Sequence, residues 1–116
     1  MRICIDLDGT ICKLKKEDEL YTQAEPYADA INAIRKLKSQ GHYIIIYTAR
    51  RMRTHSGNIG LVTADIAAIT IKWLTDNDVQ YDEIHFGKPY ANVYIDDLAI
   101  ECKNNWDEIC QKISES

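Results

Sequence analysis

The sequence holds no C-x-x-C pair: its four cysteines, Cys4, Cys12, Cys102 and Cys110, stand far apart, which excludes the usual zinc and dithiol-redox signatures. They read as reduced thiols of a reducing compartment, and the expected location is cytoplasmic. Proline is scarce, with two residues, and the five glycines are scattered singly, which leaves no linker and no low-complexity tract. Basic excess is lacking too. Lys and Arg number 14 against 18 Asp and Glu, a net charge of −4, which speaks against a nucleic-acid partner held by phosphate neutralisation but not against a small phosphorylated substrate. No apolar run approaches the roughly 18 residues of a membrane span, and the first residues form no signal-peptide core, so no membrane partner is expected.

What is present is alternation. At 116 residues with 46% hydrophobic content, a single domain over 1–116 is expected, large enough to bury a core without disulfides. Residues 2–7 form a short apolar strand that ends on Asp6 and is broken by Asp8-Gly9-Thr10. Residues 13–25 are polar and without period, which suits an exposed flap. After Pro26, Ala30, Ile31, Ile34 and Leu37 repeat at helical spacing up to a closing Gly41. The run 42–48 is the strongest strand signal, and its continuous apolar character suits a central parallel strand. A basic loop over 49–60 precedes a helix whose inner face is expected to carry Val62, Ile66, Ile69 and Trp73. Further strands are expected at 83–86 and 91–95, and a last amphipathic helix near 106–113. The order β-α-β-α-β-β-α predicts an α/β fold, a Rossmann-like three-layer sandwich with a central, mostly parallel sheet.

Ligands of such sheets bind at the carboxyl ends of the strands. Those ends carry Asp6 and Asp8, then Thr48, then Lys88, then Asp96 with Asp97. Four carboxylates gathered at one edge repel one another unless a divalent cation lies among them, and an all-oxygen ligand set favours Mg²⁺. Lysine and a hydroxyl beside such a site suit the oxygens of a phosphoryl group. An aspartate already in place can act as nucleophile, and a second one two residues on can serve as general acid and base. Gly9 lets the chain turn without a Cβ near the substrate, and Thr10 can tie the turn.

The run Asp6-Leu7-Asp8-Gly9-Thr10, Thr48 at the end of an apolar strand, Lys88 in Gly87-Lys88-Pro89, and Asp96-Asp97 after Val93-Tyr94-Ile95 together resemble the four ordered motifs of the haloacid dehalogenase-like phosphatases. The resemblance implies that Asp6 accepts the phosphoryl group, Asp8 is the acid/base, Thr48 and Lys88 bind phosphate, and Asp6, Asp8 and Asp96 hold Mg²⁺. Asp97 would lie beside the metal or pair with Lys88. It also places Gly9, Thr10, Ala49 and Arg50 along the substrate. The stretches Thr48-Ala49-Arg50-Arg51-Met52 and Tyr81-Asp82-Glu83-Ile84 are similar to those of a small subgroup, the capsule-biosynthesis phosphatases, which implies a sugar phosphate or related surface-polysaccharide precursor.

Neither the interval from Thr10 to Tyr43 nor that from Thr48 to Lys88 has room for the roughly 50 residues of an inserted specificity domain, so a capless core is expected. An open site must then be closed by the flap, by the basic loop with Arg50, Arg51, Arg53 and His55, or by a homo-oligomeric neighbour. Arg50 is expected to bind a second anionic group of the substrate. From a different class, a phosphorylation-receiver-like signalling module also uses an aspartate cluster, Thr and Lys, although its acceptor stands alone on a later strand. A non-catalytic binding protein on the same fold is the third reading.

Overall fold

The computed structural model describes all residues from Met1 to Ser116. Strand β1 (Arg2–Asp6) leads through a loop with one 3₁₀ turn at Tyr21–Gln23 to helix α1 (Ala28–Ser39). Strand β2 (Tyr43–Thr48), helix α2 (Ile59–Asp76), strand β3 (Glu83–Phe86) and helix α3 (Trp106–Ser114) follow. The three strands form one parallel sheet in the order β1-β2-β3, with Ile5 opposite Ile46 and Ile46 opposite Ile84. Parallel neighbours need helical crossovers, and α1 and α2 supply them. No inserted domain interrupts the connections.

Side chains alternate along a strand, so this register puts Ile3, Ile5 and Leu7 on the same face as Ile44, Ile46 and Thr48. Ile5, Leu7, Ile44 and Ile46 are buried there against Ile31, Ile34 and Leu37 of α1, Trp73 and Leu74 of α2, and Trp106, Ile109 and Ile113 of α3. These residues belong to one continuous core. The opposite face is less covered: Cys4 and His85 are exposed, and Ile45 and Tyr47 are half-buried. Cys4, whose apolar neighbours suggest a core position, is therefore outside the core.

Two expectations need correction. The segment 91–95 is not a strand; all its residues are exposed, Ile95 at 97%, and the outer edge of β1 has no partner. Local bonds take the place of a ladder, since the Tyr94 hydroxyl donates to the Pro89 carbonyl and the Leu98 N–H to the Asp96 carboxylate. On α2 the inward residues are Val62, Ile66, Thr70, Trp73 and Leu74, while Ile69 is turned outward. The helix begins two residues before its first expected turn because Asn58 caps it, its side-chain oxygen accepting the Leu61 N–H at 3.2 Å.

No helix is long and apolar enough to cross a membrane.

Candidate active site

The site forms where β1, β2 and β3 end. Asp6 is the last residue of β1, and its carboxylate lies 3.6 Å from the Lys88 ammonium. Lys88 is two residues beyond β3 and is held by its own N–H, which donates to the Thr48 carbonyl at 3.1 Å. Gly87, at φ 95°, makes the turn that brings Lys88 back over the sheet; an L-residue rarely adopts that conformation. Burial pushes the Asp6 carboxyl up, Lys88 and the Leu7 N–H oppose this, and the nearby Asp8 charge adds to the rise.

After Leu7 the chain tightens. The Leu7 carbonyl accepts the N–H groups of Thr10, Ile11 and Cys12, and Gly9, at φ 85°, donates to the Cys12 carbonyl at 2.7 Å. This turn presents Asp8. Its carboxylate meets Arg50, whose Nε lies 2.9 Å from Oδ2 and whose Nη2 lies 2.9 Å from Oδ1. Cys12 lies underneath, and burial, followed by the Asp8 charge, pushes its thiol up to about 12. That thiol is no nucleophile at neutral pH.

Thr48 is buried, and its hydroxyl oxygen accepts the Arg50 N–H at 3.1 Å, which starts the turn after β2. The hydroxyl proton is left to donate. Arg51 follows in the left-handed region at φ 61° and points back toward Asp65 and the Tyr21 ring. Asp6, Asp8, Thr48, Arg50 and Lys88 thus come together, with Gly9 and Thr10 in the adjoining turn and Ala49 half-buried beside Arg50.

The profile of the haloacid dehalogenase-like hydrolases matches residues 3–72, more than half of the chain. The chain belongs to the haloacid dehalogenase-like hydrolases. A target protein from Vibrio cholerae, known from its crystal structure, is similar at 33% identity and a TM-score of 0.80, over 97% of this chain and 98% of that one. Two more distant structures share the fold. One belongs to the Pnkp1/Rnl/Hen1 RNA repair complex (19% identity, TM-score 0.53, 97% of this chain and 30% of that one). The other is the D,D-heptose 1.7-bisphosphate phosphatase of B. bronchiseptica, solved with magnesium and phosphate (15% identity, TM-score 0.52, 97% of this chain and 63% of that one). No functionally curated protein matches the sequence.

For a haloacid dehalogenase-like hydrolase, the arrangement departs from expectation at three places. Asp96 and Asp97 lie in the exposed loop after β3, not beside Asp6, because the segment before them is not in the sheet. The Lys88 ammonium pairs with Asp6 and stands 4.2 Å from the Tyr94 ring rather than on Asp97. Arg50 is not open to a substrate anion: its side chain is fully buried and its donors face Asp8 and Thr70. The donor set also bears on the expected Mg²⁺. A hard cation wants six or so oxygen ligands, whereas Asp8 is occupied by Arg50 and no group of three acidic, His or Cys side chains converges anywhere in this hydrolase. The residues as arranged do not form a Mg²⁺ site.

Sequence reasoning missed Thr70, whose hydroxyl accepts from Arg50 Nη1 at 3.1 Å. A threonine amid the apolar run Ile69-Thr70-Ile71 was the available signal. The Tyr21 ring lies 4.3 Å from the Arg50 guanidinium carbon.

Proposed function

We propose that this hydrolase is a phosphomonoesterase that works through an aspartyl-phosphate on Asp6 and acts on a small phosphorylated metabolite, a sugar phosphate or related surface-polysaccharide precursor. The observation that carries this reading is the Asp6 carboxylate at 3.6 Å from the Lys88 ammonium, at the end of a parallel strand, with Asp8 two residues on. Lysine and the Thr48 hydroxyl would hold the phosphoryl oxygens. Asp6 forms a bond to phosphorus as the bond to the ester oxygen breaks, and Asp8 gives that oxygen its proton. Water then attacks phosphorus, its proton passes to Asp8, and the bond to Asp6 breaks, releasing inorganic phosphate. Magnesium is the cation that the family resemblance implies; the donors as arranged do not fit it, and none of these steps is routed through it.

The absence of an inserted domain supports closure by the 13–25 flap, and a second copy of the chain completing the site is part of the proposal. All four thiols are free, which supports a cytoplasmic setting. The test is phosphate release from p-nitrophenyl phosphate and a panel of sugar phosphates, with Mg²⁺ and with chelator. Release is expected in the parent and absent in Asp6→Asn. A fully active Asp6→Asn variant overturns the nucleophile, and a parent that accumulates stable phospho-aspartate from acetyl phosphate without turnover overturns the hydrolase chemistry in favour of a signalling module.

A further inference from the structure

Arg50 is a buried charge, with 3% of its surface exposed, in a core whose other buried polar side chains are Thr48 and Thr70. A guanidinium taken out of water is tolerated only when its donors and charge are matched. They are matched here on every side. Nε and Nη2 fork onto the two Asp8 oxygens, Nη1 donates to the Thr70 hydroxyl, the Cys12 sulfur lies 3.8 Å from Nη2, and the Tyr21 ring covers the guanidinium at 4.3 Å.

From this geometry we infer that Arg50 is the positioning residue of Asp8, and that Thr70 of α2 and Tyr21 of the flap fix Arg50 in turn. The inference rests on the phosphatase reading of the site and adds to it the part of the chain that aims the acid/base. Asp8 sits on a tight turn and has a rotatable carboxyl group. A planar fork that meets both oxygens sets the plane and direction of that group, which a single ammonium cannot do. Tyr21 belongs to the 13–25 flap, and the same segment is pinned by the Trp73 indole N–H, which donates to the Ala24 carbonyl at 2.9 Å. The flap is therefore joined to the acid/base through one guanidinium, and its place over the site and the aim of Asp8 are set together.

The chemistry offers a readout that simple loss of fold does not move. Departure of p-nitrophenolate needs no proton, whereas departure of a sugar alkoxide does, so misaiming Asp8 spares phosphoryl transfer to Asp6 from the first ester, slows it from the second, and slows the shared hydrolysis of the aspartyl-phosphate on both. Arg50→Lys is expected to lower the single-turnover rate of phosphoryl transfer from a sugar phosphate by about a hundredfold, with substrate affinity unchanged, and to alter the rate of the p-nitrophenolate burst by less than about threefold. Tyr21→Ala is expected to show the same selective loss at smaller size, and Tyr21→Phe, which keeps the ring, to restore it. In an Asp8→Asn background Arg50→Lys should cost nothing further. An Arg50→Lys enzyme with weaker substrate binding and a parental transfer rate, or equal loss of the transfer rate from both esters, or equal loss with and without Asp8, overturns the inference. If the parent lacks Asp6-dependent phosphatase activity, the phosphatase reading fails by itself. The Arg50 link is then decided by urea unfolding of the two single variants and the double variant, where additive effects refute it and non-additive effects uphold it.

Discussion

Gly87→Ala tests how the Lys88 side of the site is built. Gly87 has φ 95°, and a Cβ added there would stand 3.0 Å from Ile59 Cδ1 and 3.2 Å from Cγ1. Positive φ costs an L-residue about 1–2 kcal/mol. The contact with Ile59 costs less, because that side chain is 53% exposed and can change rotamer for about 1 kcal/mol. A total near 2 kcal/mol corresponds to a fall in Tm of about 8 °C for a domain of this size. Activity should fall further than stability suggests, since Lys88 is the next residue and a displacement of about 1 Å at a phosphate-binding group costs up to about a hundredfold in rate. Thermal melts and kcat on p-nitrophenyl phosphate measure both. Ile59→Ala added to Gly87→Ala removes the contact but leaves the backbone strain, so it should recover less than half of the lost stability. The reasoning is refuted if Gly87→Ala melts within about 1 °C of the parent with parental kcat, or if Ile59→Ala restores both fully.

Trp73→Phe should cost about 1–3 kcal/mol in urea unfolding, because it leaves the buried Ala24 carbonyl without its donor, and should speed proteolysis within 13–25; unchanged cleavage there would mean that the flap is anchored elsewhere. Asp82 accepts two bonds from the Lys38 ammonium, at 2.7 and 2.8 Å, and one from the Ile44 N–H at 2.8 Å, and these hold its carboxyl below the ordinary range. A carboxyl with a lowered folded-state pKa contributes stability above its unfolded-state value, and that stability is lost as pH falls through the folded one. Asp82→Asn should therefore lower the urea midpoint at neutral pH, with the difference from the parent shrinking in acid; a constant difference would show that the charge is not what matters.

Much of this fold is legible in the residues because periodicity and strand-end chemistry are local. The run Tyr43–Thr48 is the central strand, Ala30, Ile31, Ile34 and Leu37 are the buried face of α1, and Trp73 and Trp106 are core. The sequence leads one to expect a strand over 91–95, yet pairing needs a neighbour at the right edge. The bonds of Tyr94 to Pro89 and of Asp96 to Leu98 keep that stretch out of the sheet. Ile69 and Thr70 show a similar limit. Both fit the helix, and only packing against Arg50 decides that the hydroxyl turns inward.

The sequence by itself determined which groups stand at strand ends, because a strand must stop where Asp8-Gly9-Thr10 or Gly87-Lys88-Pro89 follows it. That is enough to bring Asp6, Asp8, Thr48 and Lys88 to one edge. The tertiary structure alone decided what Arg50 does. A basic loop after β2 suggests an open anion site, but the guanidinium folds under the flap to Asp8, Thr70 and Tyr21, partners 42, 20 and about 30 positions away. A buried charge goes where its compensation is, and the compensating groups are assembled only when β1, α2 and the flap close around it.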